Sequence, residues 1–385
     1  MPTFNGNIRS KLPKAGTTIF TIMSGLANET GAINLSQGFP GFPVSEELIG
    51  LYHAALKAGH NQYAPMPGLP ILRERIAEKM EAAYSTVYHP DTEITITAGG
   101  TQALYTAINA FVSEGDEVIV LEPAYDSYVP AIELAGGIPI HVHLRPPMYQ
   151  IPWEEIRKLV NQRTRMIMIN TPQNPTGTIL TAADMQQLEK ITNDTDIIVL
   201  SDEVYEHIIF DGYEHQSVAR FPKLASRSMI VYSFGKTFHA TGWKTGYVVG
   251  PANLMKEFRK VHQFTVFSVN TPLQHALAEY MKNPANYTGL PKFYQEKRDY
   301  FQKLIKGSKF KILPCAGSYF QLLDYSAITD EKDTEYAIRL TKENGVASIP
   351  VSVFYNVPQD FKLLRFCFAK NNELLEAAAE RLHLI

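Results

Sequence analysis

The chain has 385 residues, with 36 Lys and Arg against 39 Asp and Glu, which gives a formal net charge of −3. The basic residues are dispersed, so composition and charge exclude a surface built to bind nucleic acid. The length exceeds what one hydrophobic core usually reaches, and we therefore expect two domains.

The N-terminal residues and the cysteines suggest where the protein works. Residues 1–20 contain no continuous apolar run and no small-residue cleavage site, so no signal peptide is expected. Apolar runs such as 197–200 have the length of strands and are too short to span a membrane. Cys315 and Cys367 lie in apolar contexts without the spacing of metal ligands. These features predict a cytoplasmic protein with no membrane association and no metal site.

Secondary-structure patterns divide the chain into an arm and an alternating region. The first forty-odd residues, rich in Gly, Pro and Thr, predict an arm rather than a packed element. Ser45 followed by two glutamates predicts a capped helix over 45–58, and an amphipathic helix follows over 71–84. From about residue 93 strands and helices alternate, which predicts a mainly parallel sheet covered on both faces. The predicted strands are 94–97, 118–121, 166–169, 197–200, 229–232 and 247–249, and the helices between them include 102–112 and 182–191.

A smaller α+β unit is predicted beyond residue 283. Its helices are expected at 294–304 and 336–343, and its strands at 310–313, 318–323 and 363–368. The predicted division is therefore an arm and part of the small domain at 1–44, a large domain at 45–283 and a small domain at 284–385.

Three polar groups follow apolar strands of the predicted sheet. Lys236 follows the strand at 229–232, Asp202 and Tyr205 follow the strand at 197–200, and Asn174 follows the strand at 166–169. In such sheets functional groups gather beyond the carboxyl ends of the strands. An amine, a carboxylate, a phenol and an amide together are what a pyridoxal phosphate enzyme needs. Each also has a structural alternative: a surface lysine, a helix N-cap, a packing tyrosine and an ordinary turn.

A phosphate site is predicted at the segment 98–102, which joins a strand to a helix. Gly100, Thr101 and Gln102 open that helix, whose N-terminus offers free amides to an anion. The spacing matches neither a Walker loop nor a dinucleotide fingerprint. Lys244 and the hydroxyl of Ser233 are candidates for further phosphate contacts, although a structural turn and a surface lysine are the alternatives.

Two further residues are candidates for ring and substrate contacts. Tyr125 could stack on a cofactor ring or simply pack in the core. Arg365 lies within the apolar strand at 363–368, where a buried guanidinium needs an anion. It therefore predicts either a clamp for a substrate carboxylate or a structural salt bridge.

Taken together, these motifs resemble the class I pyridoxal-phosphate aminotransferases of fold type I. The likeness covers nearly the whole chain and is strongest to the branch of bacterial methionine aminotransferases and kynurenine aminotransferase/glutamine transaminase K enzymes. The segments that carry it are 35–40, 61–65, 201–205, 233–246 and 364–366. The resemblance implies a mainly parallel seven-stranded sheet flanked by helices, a smaller α+β domain and pyridoxal 5′-phosphate as cofactor.

The resemblance also implies a role for each candidate residue. Lys236 would be the Schiff-base lysine and proton shuttle. The cofactor-ring contacts would be Asp202 at the pyridine nitrogen, Tyr205 and Asn174 at the phenolate oxygen, and Tyr125 stacked on the ring. The phosphate contacts would be Gly100, Thr101, Ser233 and Lys244, with Tyr63 reaching the phosphate of a neighbouring subunit in a homodimer with shared active sites. Arg365, Asn174 and the Gly38 backbone would hold the substrate carboxylate.

The predicted amino donor follows from the lack of a cation that could bind a second substrate carboxylate. Residues 262–270, where dicarboxylate transaminases carry a cation for the distal carboxylate, contain no Arg or Lys. Phe267, Ile19 and Phe20 would form an apolar pocket instead, which predicts methionine as the first amino donor. Phenylalanine, tyrosine, histidine and glutamine are further candidate donors, with a 2-oxo acid as acceptor in a ping-pong reaction.

Three other functions remain open at this point. A carbon–sulfur β-lyase on the same fold would use the same lysine. A kynurenine–oxoglutarate transaminase is disfavoured by Ser268, because kynurenine aminotransferases tend to carry Phe-His where this chain has Phe267 and Ser268. A non-catalytic ligand sensor is disfavoured because every catalytic position is filled.

Overall fold

The computed structural model describes residues 1–385. The strands are β1 (Ile33–Asn34), β2 (Ile94–Thr97), β3 (Glu117–Glu122), β4 (Ile138–His143), β5 (Thr164–Asn170), β6 (Ile198–Asp202), β7 (Ser228–Ser233), β8 (Gly246–Val249), β9 (Lys311–Ile312), β10 (Phe320–Asp324), β11 (Val346–Ala347), β12 (Ile349–Pro350) and β13 (Leu363–Cys367). The helices are α1 (Ile19–Thr30), α2 (Glu46–Lys57), α3 (Pro70–Tyr84), α4 (Gly100–Phe111), α5 (Tyr128–Leu134), α6 (Trp153–Leu159), α7 (Ala182–Thr192), α8 (Pro222–Ala225), α9 (Phe234–Thr237), α10 (Ala252–Thr265), α11 (Thr271–Tyr280), α12 (Ala285–Thr288), α13 (Leu290–Ile305), α14 (Asp333–Glu343) and α15 (Asn372–His383). No helix combines the length and the apolar character needed to cross a membrane.

Seven strands form the central sheet, in the order β2-β8-β7-β6-β5-β3-β4. Six of them, β2 and β3 to β7, run in the same direction, and only β8, between β7 and β2, runs antiparallel to them. The inner strands are continuous apolar runs because helices cover both faces of the sheet. The predicted α/β fold with a mainly parallel seven-stranded sheet is therefore confirmed. Edge strand β4 has no counterpart among the individually predicted strands, since a proline and two histidines interrupt its apolar pattern.

The strand order brings three chain segments to one edge of the sheet. β5, β6 and β7 are neighbours, and they end at Asn170, Asp202 and Ser233. Asn170 and Asp202 lie side by side in the register. Because parallel strands share their carboxyl edge, residues more than sixty positions apart meet there.

The C-terminal residues form a second, antiparallel sheet in the order β12-β13-β10-β9. The predicted arm is only partly correct, because residues 19–30 form helix α1 and pack against this unit. Thr18 caps the helix through a hydrogen bond from the Thr21 amide, Gly31 ends it with a φ of 65°, and Met23 and Ala27 are buried. The predicted domain boundaries stay a prediction.

The start of α2 differs from the predicted capping pattern. Ser45 precedes the helix, but its side chain makes no capping hydrogen bond. The negative charges of Glu46 and Glu47 in the first turn instead stabilise the helix, because they lie at the positive end of its dipole.

A buried ion pair ties α3 to the segment that follows β6. Lys79 forms the pair with Glu206, and both side chains are almost fully buried. The Tyr84 hydroxyl also donates to the Glu206 carboxylate. Because Glu206 is adjacent to Tyr205, this pair helps to fix a segment that carries a candidate site residue.

We expect the Lys79→Met substitution to lower the free energy of unfolding by about 3–5 kcal/mol, because Glu206 would be left as an unpaired buried charge. The double variant Lys79→Met/Glu206→Gln should recover much of that loss. Urea unfolding followed by circular dichroism measures both. The exposed pair Lys260–Glu257 offers a control, since Lys260→Met should change stability by about 1 kcal/mol or less. Equal losses at the two lysines would contradict the expectation.

Candidate active site

A cavity of about 240 Å³ opens at the carboxyl edge of the central sheet, beside the C-terminal unit. Most of the residues predicted from sequence line it. They are Phe20, Gly38, Gly100, Thr101, Tyr125, Asn174, Asp202, Tyr205, Ser233, Lys236, Lys244 and Arg365.

Lys236 lies in the single helical turn α9, directly after β7. Its Nζ donates hydrogen bonds to the Tyr319 hydroxyl at 2.7 Å and to the Gly38 carbonyl at 3.1 Å. Burial lowers the pKa of the Lys236 amine to about 8, and no carboxylate pairs with it. A substantial fraction of the amine is therefore neutral near physiological pH and able to act as a nucleophile or base.

Sequence reasoning did not find Tyr319 as a site residue. The Tyr319 hydroxyl donates to the Gly38 carbonyl at 2.5 Å, so it links the lysine to the N-terminal segment. Tyr319 is fully buried just before β10, and nothing in its local sequence distinguishes it from a core tyrosine.

Asp202 ends β6 with its carboxylate buried. The Tyr128 hydroxyl donates to its Oδ2 at 2.6 Å, and the Val204 amide donates to Oδ1 at 3.3 Å. Burial raises the pKa of Asp202 to about 6, although the Tyr128 hydrogen bond acts in the opposite direction. No helix begins at Asp202, so the alternative of a helix N-cap is wrong. Tyr128 was also missed, although it lies three residues after Tyr125.

The N-terminus of α4 forms one end of the cavity. Gly99 precedes the helix with a φ of 84° and gives no side-chain cap. The first backbone N–H groups of a helix have no intrahelical acceptor, so those of Gly100, Thr101 and Gln102 are open to an anion. A Cβ at Gly100 would lie 3.1 Å from Val204, so a larger residue would crowd this end.

Arg365 lies in β13 and is only 1% exposed. Its Nη1 donates to Asn174 Oδ1 at 2.7 Å and its Nη2 to the Ser36 carbonyl at 2.9 Å, while Nε has no partner. The guanidinium lies 3.9 Å from the centroid of the Phe320 ring and forms no ion pair with any carboxylate of the chain. The salt-bridge alternative is therefore wrong, because the buried guanidinium has no carboxylate partner within the chain. Burial lowers the pKa of Arg365 to about 10.

Four predicted residues do not line the cavity. The side chain of Gln102 donates to Thr106 at 2.6 Å and accepts from the Ala98 amide at 3.0 Å, whereas its backbone N–H lies at the open helix N-terminus, so its predicted cofactor contact stays a prediction. Ile19 is half-buried beside Phe20 in α1. Tyr63 and Phe267 are 80% and 43% exposed, and their rings meet edge to face at 5.2 Å. Their roles in a neighbouring subunit stay predictions.

In the cofactor-free protein, we expect Lys236 to react with an acylating reagent in a pH-dependent way, because only the neutral amine is nucleophilic. Labelling should rise with pH and reach half of its maximum near pH 8. Trace acetylation with acetic anhydride, quantified by mass spectrometry of the peptide that contains Lys236, measures this. The Lys236→Ala protein supplies the blank. A half-point near the value of free lysine, about 10.4, would contradict the expectation.

Comparison with known proteins places the chain in a family. Residues 30–382 match the model of the family described as aminotransferase class I and II. The chain is 50% identical over 375 residues to the methionine aminotransferase of Escherichia coli (strain K12), covering 97% of each chain. It is 33% identical over 392 residues to kynurenine–oxoglutarate transaminase 1 of Homo sapiens, covering 93% of each. The crystal structure of YbdL from Escherichia coli, identified as having a methionine aminotransferase function, superposes with a TM-score of 0.97 at 50% identity over 98% of this chain and 100% of that one.

Proposed function

We propose that this chain, which belongs to the aminotransferase class I and II family, moves the amino group of methionine to a 2-oxo acid. The family and the aminotransferase activity follow from the match over residues 30–382 and from the relatives that span nearly the full chain. The choice of methionine, the cofactor and the residue roles form the proposal.

The observation that carries the proposal is the unpaired guanidinium of Arg365. A buried cation is stable only with a partner, and its free Nε and its contact with Asn174 leave the cavity side open to a carboxylate. Every amino acid and every 2-oxo acid carries such a carboxylate. Arg365 shares the cavity with Lys236, so a bound α-carboxylate places the α-carbon near the amine.

The cavity also fits pyridoxal 5′-phosphate. The α4 N-terminus, Ser233 and Lys244 provide donors and a positive charge for a phosphate group. The Asp202 carboxylate, which lacks a cation, suits the protonated nitrogen of a pyridine ring, with Tyr125 beside it. When bound, this cofactor supplies an electron-withdrawing ring that accepts the electrons of a broken Cα–H bond.

Each of these cavity residues has a separate role in the proposed reaction. Arg365 and Asn174 would hold the substrate carboxylate, and Tyr205 and Asn174 would hold the phenolate oxygen of the cofactor ring. The neutral amine of Lys236 would take the proton from the substrate α-carbon and would donate a proton to the carbon on the other side of the substrate nitrogen, two bonds away, and its lowered pKa suits both transfers. The Asp202 carboxylate would accept a hydrogen bond from the ring nitrogen and would keep that nitrogen protonated. The 2-oxo acid product leaves before the amino-group acceptor binds, which is a ping-pong order.

The preference for methionine rests on the charges that the cavity lacks. Its cations are Lys236, Lys244 and Arg365, and each has a role in the proposal, so none remains for a second substrate carboxylate. His262 cannot replace them, because it is buried and burial lowers its pKa to about 4. Phe20 and Phe320 add apolar wall, which suits a thioether side chain.

We also propose a cytoplasmic homodimer with shared sites. Tyr63, Phe264 and Phe267 are large apolar side chains that are 80%, 91% and 43% exposed. An exposed apolar group of this kind is typical of an interface between subunits. In a dimer, Tyr63 would reach the neighbouring phosphate site and Phe267 the neighbouring substrate pocket.

The test is a half-reaction with methionine and no acceptor. We expect the absorption band of the protein loaded with pyridoxal 5′-phosphate to be lost, with release of one equivalent of the methionine-derived oxo acid per site. A band that persists while a volatile thiol appears would indicate the β-lyase. A protein that develops no such band with the cofactor would contradict the cofactor assignment.

The Arg365→Met substitution should raise the KM for methionine by about 100-fold or more, because the bidentate carboxylate contact is lost. Arg365→Lys keeps the positive charge, so its KM for methionine should lie between those of the unmodified protein and Arg365→Met. Steady-state kinetics with fixed acceptor measure the effect, and melting temperatures of all three proteins serve as the control for folding. A KM unchanged in Arg365→Met would contradict the proposed role.

Aspartate should be a poorer donor than methionine by about 100-fold in kcat/KM or more, since an unpaired buried carboxylate costs several kcal/mol. Parallel assays with methionine, aspartate, phenylalanine and kynurenine establish the order of donors. A higher kcat/KM for aspartate than for methionine would contradict the proposal.

A further inference from the structure

The Lys236 amine makes two hydrogen bonds, and both of its partners are neutral acceptors. Nζ donates to the Tyr319 hydroxyl at 2.7 Å and to the Gly38 carbonyl at 3.1 Å, and it makes no other hydrogen bond. Neither acceptor carries a charge, so neither favours the ammonium form as strongly as a carboxylate would. These contacts therefore hold the amine in place while leaving it able to lose its proton.

The Gly38 carbonyl fixes the direction of the hydrogen bond between Tyr319 and Lys236. A tyrosine hydroxyl has one hydrogen, and Tyr319 donates it to the Gly38 oxygen at 2.5 Å, because a carbonyl can only accept. The Tyr319 oxygen must therefore accept from Lys236. Burial raises the pKa of the Tyr319 hydroxyl well above its usual range, so the hydroxyl keeps its hydrogen near neutral pH.

The number of hydrogens on the amine then determines where its lone pair points. A neutral lysine amine has two N–H bonds and one lone pair, and the two acceptors take both hydrogens. The lone pair is left with the remaining tetrahedral direction, away from Tyr319 and Gly38. Lys236 lines the cavity, whereas Tyr319 is fully buried outside its lining. We therefore expect the lone pair on the cavity side of the amine.

Aromatic packing keeps the Tyr319 hydroxyl in position. The Tyr319 ring meets the Tyr205 ring edge to face at 5.0 Å and the Phe320 ring at 4.9 Å, and the Tyr294 ring lies at 6.0 Å. A buried ring packed among other rings cannot swing its hydroxyl without displacing its neighbours. The hydroxyl is therefore a fixed acceptor for the lysine amine.

We propose that Tyr319 is a positioning residue whose hydroxyl orients the free amine of Lys236 toward the α-carbon of the substrate. This role rests on the proposed function, in which the same free amine takes the α-proton. Removal of the hydroxyl would leave one N–H of the amine without a partner and would free the amine to rotate about its Cε–Nζ bond. The hydrogen bond itself can be tested without cofactor or substrate.

The first measurement is the pH dependence of Lys236 acetylation in the cofactor-free protein. A hydrogen bond from a charged donor is stronger than one from a neutral donor, so Tyr319 stabilises the ammonium form more than the amine. Tyr319→Phe should therefore lower the half-point of labelling by about one pH unit. Tyr294→Phe is the matched control, because Tyr294 is equally buried and packs near Tyr319 but its hydroxyl has no partner. Its half-point should stay near pH 8.

The second measurement is turnover of the protein loaded with pyridoxal 5′-phosphate. Tyr319→Phe should lower kcat for methionine by about tenfold or more, because a misoriented base reaches the α-proton less often. The KM should stay within about threefold, since Arg365 and Asn174 are unchanged. Deuterium at the α-carbon of methionine should slow Tyr319→Phe more than the unmodified protein, because proton removal becomes a slower step. Tyr294→Phe should resemble the unmodified protein in all three respects.

Two results would overturn the proposal. An unchanged half-point in Tyr319→Phe would contradict the hydrogen bond to Lys236. Equal losses of kcat in Tyr319→Phe and Tyr294→Phe, with unchanged isotope effects, would indicate a packing role instead. Absence of turnover in the unmodified protein would contradict the proposed function, whereas the labelling half-points would still confirm or contradict the contact of Tyr319 with Lys236. Melting temperatures of the three proteins establish that each variant is folded.

Discussion

The desolvation of three charged side chains is the constraint on which the site depends. Lys236, Asp202 and Arg365 line one cavity, and none of them forms an ion pair within the chain. Burial disfavours the charged form of each group. It lowers the pKa of Lys236 to about 8 and that of Arg365 to about 10, and it raises the pKa of Asp202 to about 6. Because no residue of the chain carries the opposite charge to pair with them, only a ligand can supply an ion-pair partner. The cavity is therefore suited to a charged cofactor and a charged substrate.

Neutral hydrogen bonds hold these charges in position without neutralising them. Tyr319 donates to the Gly38 carbonyl and accepts from Lys236, and Tyr128 donates to Asp202. Asn174 and the Ser36 carbonyl accept from Arg365. Such bonds orient a group while leaving its charge available to a ligand. The site is therefore pre-organised by tyrosines and backbone carbonyls rather than by salt bridges.

The N-terminal residues complete this arrangement. Gly38 and Ser36 contact Lys236 and Arg365, and Phe20 of α1 lines the cavity. Since α1 and β1 pack against the C-terminal unit, both ends of the chain meet the central sheet at the cavity. In the proposed function, the sheet would supply the groups that face the cofactor, and the two chain ends would supply most of the groups that face the substrate.

Local sequence determined the sheet, its parallel character and the polar residues at its strand ends, because each is encoded within a few neighbouring residues. Lys236, Asp202 and Asn174 were found after strands of this sheet and Arg365 as a cation within an apolar strand of the C-terminal sheet, and the cavity brings all four together. Helix α1 was missed because Thr21, Ser24 and Gly25 interrupt its apolar spacing, although it buries Met23 and Ala27.

Only the tertiary structure decided which partners these residues have. Tyr128 meets Asp202 across 74 positions of sequence and Tyr319 meets Lys236 across 83, and neither tyrosine differs locally from a core residue. The tertiary structure also decided that the Gln102 side chain bonds to Thr106 and that Arg365 bonds to Asn174 rather than to a carboxylate. The physical reason is that hydrogen bonds between distant segments depend on how the strands are ordered and packed, whereas a strand or a helix depends on the residues next to it.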